Sequence, residues 1–239
     1  PIMQMISVAG GKLPSNSYLA NQTVSSFQIG KYEVTWGEWK EVRDWAVANG
    51  YTDLDGVGTT GWTSIGDDVA VAMVNWYDVV KWCNAKSQMQ GLTPVYQIAG
   101  STYKTGKSEP TLNGAANGYR LPLEKEWEWA ARGGISSKGY TYSGSNDVNA
   151  VAWYQGNSIG GAYGGLKPVG KKAANELGIH DMSGNVREWC WGNEGSDNKY
   201  LRGGDWGNLA FECAFSAGHS SVAADTRILN FGFRIARNP

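Results

Sequence analysis

Three cysteines and two histidines are all that this chain of 239 residues offers for thiol or imidazole chemistry. Cys83, Cys190 and Cys213 form no CxxC pair and can close at most one bridge, so they make neither a disulfide framework nor a zinc knuckle. His180 and His219 stand on different stretches. Neither has a carboxylate or nucleophile at a fixed offset that would mark acid-base work. A different kind of signal runs through Leu201 to Ala236. Its edges are rigid, with Arg202-Gly203-Gly204 and Trp206 at one end and Gly232-Phe233-Arg234 at the other. Between them Asp205, Leu209, Phe211, Glu212, Phe215, His219, Asp225, Ile228 and Leu229 follow neither a helical nor a strand period, which reads as a surface not chosen for packing.

Such a surface needs a scaffold, and its elements are marked upstream. Short strands are expected at Met5-Ile6-Ser7-Val8 and Ser26-Phe27-Gln28-Ile29, separated by Gly10-Gly11 and a polar stretch. Thr35 with Glu38 forms a capping box for a first helix carrying Trp36, Trp39, Val42 and Ala46 on one face. Residues 50 to 70 read as a loop. Asn75 caps a second helix with Trp76, Val79, Val80 and Cys83 on one face, which makes Cys83 a small buried hydrophobe rather than a nucleophile. A hairpin is expected within 95 to 119, from Val95-Tyr96-Gln97-Ile98 to Thr102-Tyr103-Lys104. A third helix, with Pro122 in its first turn and Leu123, Trp127, Ala130 and Ala131 at helical spacing, ends at Gly133-Gly134.

Thirty-three glycines and twelve tryptophans point to many turns and large aromatic anchors, hence a loop-rich α+β domain spanning 1 to 239. A net charge of −1 without a basic cluster argues against a nucleic-acid partner. No apolar run reaches membrane length. The chain begins at Pro1 without a methionine, which is compatible with a processed or trimmed product.

Six ordered motifs give the scaffold a family likeness. They are Lys31-Tyr32-Glu33-Val34-Thr35; Val74-Asn75-Trp76-Tyr77-Asp78; Tyr119-Arg120-Leu121-Pro122 through Ala130-Ala131-Arg132-Gly133-Gly134; Asn175 through Trp189; Arg202-Gly203-Gly204; and Gly232-Phe233-Arg234. Together they resemble the formylglycine-generating enzyme (sulfatase-modifying factor) family. The resemblance implies a variant C-type lectin fold with short antiparallel strands, about three helices and closure by the C-terminal strands. The family's oxidases hold copper with two cysteines about five residues apart. Here the first falls on Asn208 and the second on Cys213, and an amide does not replace a soft thiolate. This departure argues against oxidase activity and a required cofactor, and leaves a formylglycine-generating or related oxidase as the alternative reading. Cys213 is then a small buried residue or a bridge partner. No histidine cluster suggests iron or zinc, and the sulfoxide synthases of this fold carry a further histidine-bearing domain that is absent from these 239 residues.

Calcium is the metal the resemblance does imply, through carbonyls of Ser183, Gly184 and Val186 and the carboxylate of Glu188, a hard-oxygen set. The alternative for Glu188 is a buried ion pair with an arginine. The family's other calcium site begins at an asparagine that is Ala152 here. The Glu-Pro-Asn and Gln-Pro-Asp sugar motifs of lectins are absent.

The C-terminal segment further resembles the variable regions of retroelement-diversified proteins of this family, such as variable surface lipoproteins of spirochaetes. In these regions mutagenised asparagine codons lie between fixed anchors, here Arg202-Gly203-Gly204, Trp206, Cys213, Arg227 and Gly232-Phe233-Arg234. Positions expected to be Asn hold Gly207, Leu209, Phe211, Glu212, Gly218, His219, Ile228 and Leu229, while Asn208 and Asn230 remain. All but Glu212 are reachable from an Asn codon by changing adenines alone. The expected ligand-binding set is thus Asp205, Gly207, Asn208, Leu209, Phe211, Glu212, Phe215, Gly218, His219, Ile228, Leu229 and Asn230, forming a contiguous solvent-facing patch. Trp206 is read as a structural anchor whose ring edge forms the floor of the site. The resemblance implies a non-catalytic protein displayed at the cell surface on a lipid-anchored leader and binding a protein or cell-surface ligand. A structural or assembly role on the same fold is the other non-catalytic reading.

Overall fold

The computed structural model describes residues 3–59, 66–158, 165–193, 197–215 and 218–239. Helix α1 (Trp36–Ala48) starts where Thr35 and Glu38 close the capping box, each side chain engaging the other's backbone N–H. Helix α2 (Trp76–Met89) starts the same way on Asn75 and Asp78. Helix α3 (Glu124–Ala131) begins two residues later than Pro122 suggests. Leu123 is its N-cap, and the Pro122 carbonyl instead accepts from Trp191 N–H. Two single-turn helices, α4 (Val148–Val151) and α5 (Gln155–Ser158), add to the expected three.

Among the described residues the strands are short and form four small sheets. β1 (Met5–Val8), β4 (Phe27–Gly30) and β12 (Ala236–Arg237) form one, with Ala236 opposite Ile29, so the C-terminal strand closes onto the N-terminal hairpin. β2 (Gly11–Lys12) pairs with β3 (Thr23–Val24). β5 (Tyr96–Ile98) lies between β6 (Ser101–Thr102) and β7 (Thr111–Leu112), so the expected hairpin has a third strand. The largest sheet is ordered β10 (Ser220–Ala223), β9 (Asn198–Arg202), β8 (Arg187–Asn193), β11 (Phe231–Gly232). Residues 60–65 of the expected loop, and residues 216 and 217 of the C-terminal segment, lie outside the described residues.

The core is aromatic. Trp39 of α1 and Trp82 of α2 stack 5.7 Å apart, and Phe233 meets both edge-on. Each indole N–H is satisfied, Trp39 donating to the Val57 carbonyl and Trp82 to that of Trp39, as burial requires. Helix α2 is not amphipathic in the expected way, because Lys81, Asn84 and Lys86 are buried too. Lys81 pairs with Asp53, and Asn84 bonds the backbone of Tyr96 and Tyr103, so the polar face of α2 is sealed by the β5 region rather than by water.

Buried carboxylates tie this core to the C-terminal strands. Arg234 meets both oxygens of Glu188 at 2.7 Å and donates to the carbonyls of Gly30 and His180. Glu33 accepts from Asn185 Nδ2 and Val186 N–H. Burial, with Asp181 and Glu188 nearby, pushes the Glu33 carboxyl well above its ordinary 4.5, against the opposing pull of Arg234. A carboxyl raised by folding contributes stability that is complete below its unfolded pKa and is lost as pH rises through its folded value. The stability advantage of the wild type over Glu33→Gln, read from urea denaturation, should therefore shrink from pH ~4 towards pH ~8. A difference constant across that range would refute this reading.

Candidate functional site

The site is built where β9 ends. Gly203 and Gly204 take φ of +96° and +68°, the left-handed region that glycine enters without cost. They turn the chain so closely over itself that a Cβ on Gly204 would lie 2.8 Å from the Glu212 carbonyl oxygen and 2.9 Å from Cys213 Sγ. A 3₁₀ turn, Ala210–Cys213, seats on this glycine, with Glu212 capping it through Leu209 N–H at 2.9 Å. Below, Arg202 donates to Glu128 and to the Phe215 carbonyl and lies over the Trp127 ring, fixing the turn to α3.

Arg187, on β8, binds the loops together. Its Nε donates to Asp205 Oδ2 and Asn208 Oδ1, its Nη1 to Ser220 Oγ and its Nη2 to Asn208 Oδ1. Asp205 also accepts from Asn230 Nδ2 and Gly207 N–H. Arg227 reaches the N-terminus of α2 and meets both oxygens of Asp78 at 2.8 Å, anchoring the far side of the segment. Between these fixed points lies a cavity of about 420 Å³, lined by Arg187, Leu201, Gly203, Gly204, Phe211, Glu212, Ala214, Gly218, His219 and Ser220.

The twelve residues expected to bind ligand divide by environment. Leu209, Phe211, Ile228 and Leu229 are exposed, with Phe211 at 67% the most open. Gly207, Asn208, Glu212, Gly218, His219 and Asn230 are half-buried. Asp205 and Phe215 are buried, which corrects their placement on the surface. Asp205 points inward because three neighbours donate to its carboxylate, and the Phe215 ring packs under the Arg132 guanidinium at 4.7 Å. Of the twelve, Phe211, Glu212, Gly218 and His219 line the cavity. Trp206 is not its floor; its ring packs against Gly165 in a separate apolar cluster.

Several contributors escaped the sequence reading because they lie far away in the chain. Arg187 stands in the Asn175 to Trp189 framework motif, which gives no sign that its side chain reaches the site. Glu124 supplies the carboxylate that His219 lacked in sequence, with Nδ1 and Oε1 2.8 Å apart across 95 residues. Tyr18, from the loop between β2 and β3, meets the His219 ring edge-on, and Tyr200 lies on its other contact. His180 sits on the framework, its Nδ1 2.8 Å from the Lys172 carbonyl and its ring against Tyr32.

All three cysteines are free and buried, so no bridge forms. Burial and the nearby Asp205 and Glu212 carboxylates push the Cys213 thiol up to about 12, which keeps it protonated at neutral pH. Burial raises Cys83 further. Asn208 accepts from Arg187 and the Asp205 N–H, so its carbonyl oxygen is engaged inside the protein. The calcium set expected at Ser183, Gly184, Val186 and Glu188 does not fit the ion. Both Glu188 oxygens are taken, by Arg234 and by the Trp127 indole at 2.7 Å, and a cation there would face the buried guanidinium. The arginine-paired alternative is the one the fold adopts.

An α+β body of short antiparallel sheets around buried helices, closed by a C-terminal strand and opening a cavity at an Arg-Gly-Gly turn, is the formylglycine-generating-enzyme type of fold. The chain belongs to the family of the sulfatase-modifying factor enzyme 1-like domain, whose family model matches residues 1–239. It is 42% identical over 211 residues to "Chaperone protein LppX" of Paenibacillus barcinonensis, covering 78% of this chain and 70% of that protein. It is 34% identical over 138 residues to "Inactive C-alpha-formylglycine-generating enzyme 2" of Mus musculus, covering 51% of this chain and 44% of that protein, so it spans less than half the length of that relative. Among solved structures, Treponema denticola variable protein 1 superposes with a TM-score of 0.75 at 29% identity, covering 99% of this chain and 95% of the other. Among the described residues, no helix is long and apolar enough to cross a membrane.

Proposed function

We propose that the protein is a non-catalytic binding protein that holds a polypeptide partner at the cavity between Gly204 and His219, and that it does so at the cell surface. One observation carries the reading. At the place where the family's oxidases hold copper between two cysteines, Asn208 is locked against Arg187 and Cys213 is a single buried thiol. A cuprous ion needs soft thiolates, and a protonated thiol beside an amide supplies none. Around that pocket Leu209 and Phe211 stand exposed on a backbone fixed from below, the arrangement by which loops on a rigid scaffold recognise ligands. A polypeptide partner is favoured by the 42%-identical relative, which is called a chaperone, and surface display by the likeness to a variable protein. Calcium has no role in this reading.

Two measurements test it. Incubated with copper, oxygen and a cysteine-containing peptide at high protein concentration, the protein should form no formylglycine, and any turnover dependent on Cys213 would overturn the non-catalytic reading. Sequencing the locus in separate isolates tests diversification. Residues 207 to 230 should vary at the former Asn positions, with a neighbouring 3′ near-copy differing at adenines. Constancy across isolates would instead favour a fixed partner, as in a chaperone or assembly protein of this fold.

A further inference from the structure

Arg187, the guanidinium at the cavity, is already paired with Asp205 and Glu212, and we propose that the cavity takes a lysine or arginine side chain of the polypeptide partner. This rests on the binding reading above and adds the chemistry of what enters.

Arg187 is the cation lining the cavity among the described residues, and its donors already serve Asp205, Asn208 and Ser220. An incoming anion would have to break those bonds and would then sit beside the buried Asp205 carboxylate. Glu212 is in the opposite condition. Its Oε2 accepts from Leu209 N–H at 2.9 Å, whereas its Oε1 meets Asn208 Nδ2 only at 3.4 Å and Arg187 at 3.7 Å. Its side chain keeps 36% of its accessibility. A carboxylate has about four lone-pair positions, so Glu212 retains acceptor capacity for a group entering the cavity. Arg187 is thus answered by two carboxylates, Asp205 and Glu212. The charges behind it are balanced, since Arg202 and Arg132 face Glu124 and Glu128.

The walls suit the rest of a basic side chain. Gly203 and Gly204 put no side chain on the floor, and Leu201 and Ala214 offer apolar surface for a methylene stem. The exposed Phe211 ring at the rim gives a cation a π face. A volume of about 420 Å³ accommodates the stem and its charged head.

Isotope-labelled protein titrated with acetyl-Gly-Gly-Lys-Gly-Gly-amide, and with the same peptide carrying Glu or Leu at its centre, tests this by amide chemical shifts. The lysine peptide should shift Gly203, Gly204, Gly218 and Ser220 and bind about tenfold more tightly than the other two, with affinity falling as salt rises. Glu212→Gln keeps an oxygen for the Leu209 N–H. It should leave the melting temperature in place and erase most of the lysine preference, a loss of about fivefold or more. Equal or better binding of the glutamate or leucine peptide, or lysine binding indifferent to Glu212→Gln, would overturn the cation assignment and leave the binding reading standing, because the cavity amides would still report a peptide. Silence of those amides towards all three peptides would overturn both.

Discussion

Replacing Arg234 with methionine is expected to destabilise the fold by about 3–5 kcal/mol, the cost of leaving a buried charge without its partner. Glu188 is wholly buried, and its remaining donor would be the Trp127 indole. The carbonyls of Gly30 and His180 would lose their guanidinium donors in the same step. The double variant Arg234→Met, Glu188→Leu should recover most of the loss, because two apolar groups of similar size remove the charge along with the need to satisfy it. Urea denaturation of the four proteins of this cycle measures the coupling. The same experiment decides between an ion pair and calcium at Glu188. With the ion pair, a chelator leaves the wild-type midpoint unchanged and calcium does not restore Arg234→Met. A midpoint that falls with chelator would reinstate the metal.

Arg187→Met is expected to come second, at the lower end of the same range of about 3–5 kcal/mol. Its guanidinium is 21% exposed, so water screens part of what is lost, and Asp205 keeps Asn230 and Gly207 as donors. The consequence for the site is larger than the number implies. Among the described residues the Arg187 side chain joins β8 to Asp205, to Asn208 and to Ser220, so its loss loosens both walls of the cavity at once. Amide hydrogen exchange should rise through 205–213 and 218–221 before it rises in α1 or α2. Uniform protection across the chain in Arg187→Met would mean that the glycine turn holds the site without it. Asp205→Asn in the same chain should restore part of the stability by removing the unpaired charge.

These predictions draw on contacts that differ in how visible they are in sequence. The capping box of α1 and the Asn75 cap of α2 were legible because a cap and the backbone it serves are a few residues apart and obey local geometry. Pro122 misled, because a proline before a helix can stand outside the N-cap as readily as inside the first turn, and its carbonyl was claimed by β8. Helix α2 looked one-sided because polar residues mark a wet face only when nothing folds over them, and Asp53 and the β5 backbone do. Phe215 and Asp205 were placed on the surface because the segment has no period. Absence of a period shows that a stretch is irregular and does not show which side chains turn inwards.

The sequence by itself determined the family, the caps and the turn glycines. Each is a property of neighbours in the chain or of a motif read in order. Tertiary structure decided which residues meet across long separations, including Glu124 with His219, Tyr18 with His219, Arg187 with Ser220 and Arg234 with Glu188. A buried charge or hydrogen-bonding group must find a partner, but the partner is fixed by how the elements pack and not by spacing along the chain. That is why the scaffold could be read from the residues, while the chemistry of the cavity, with Arg187 engaged and Glu212 open, appeared only once the chain was folded around Gly204.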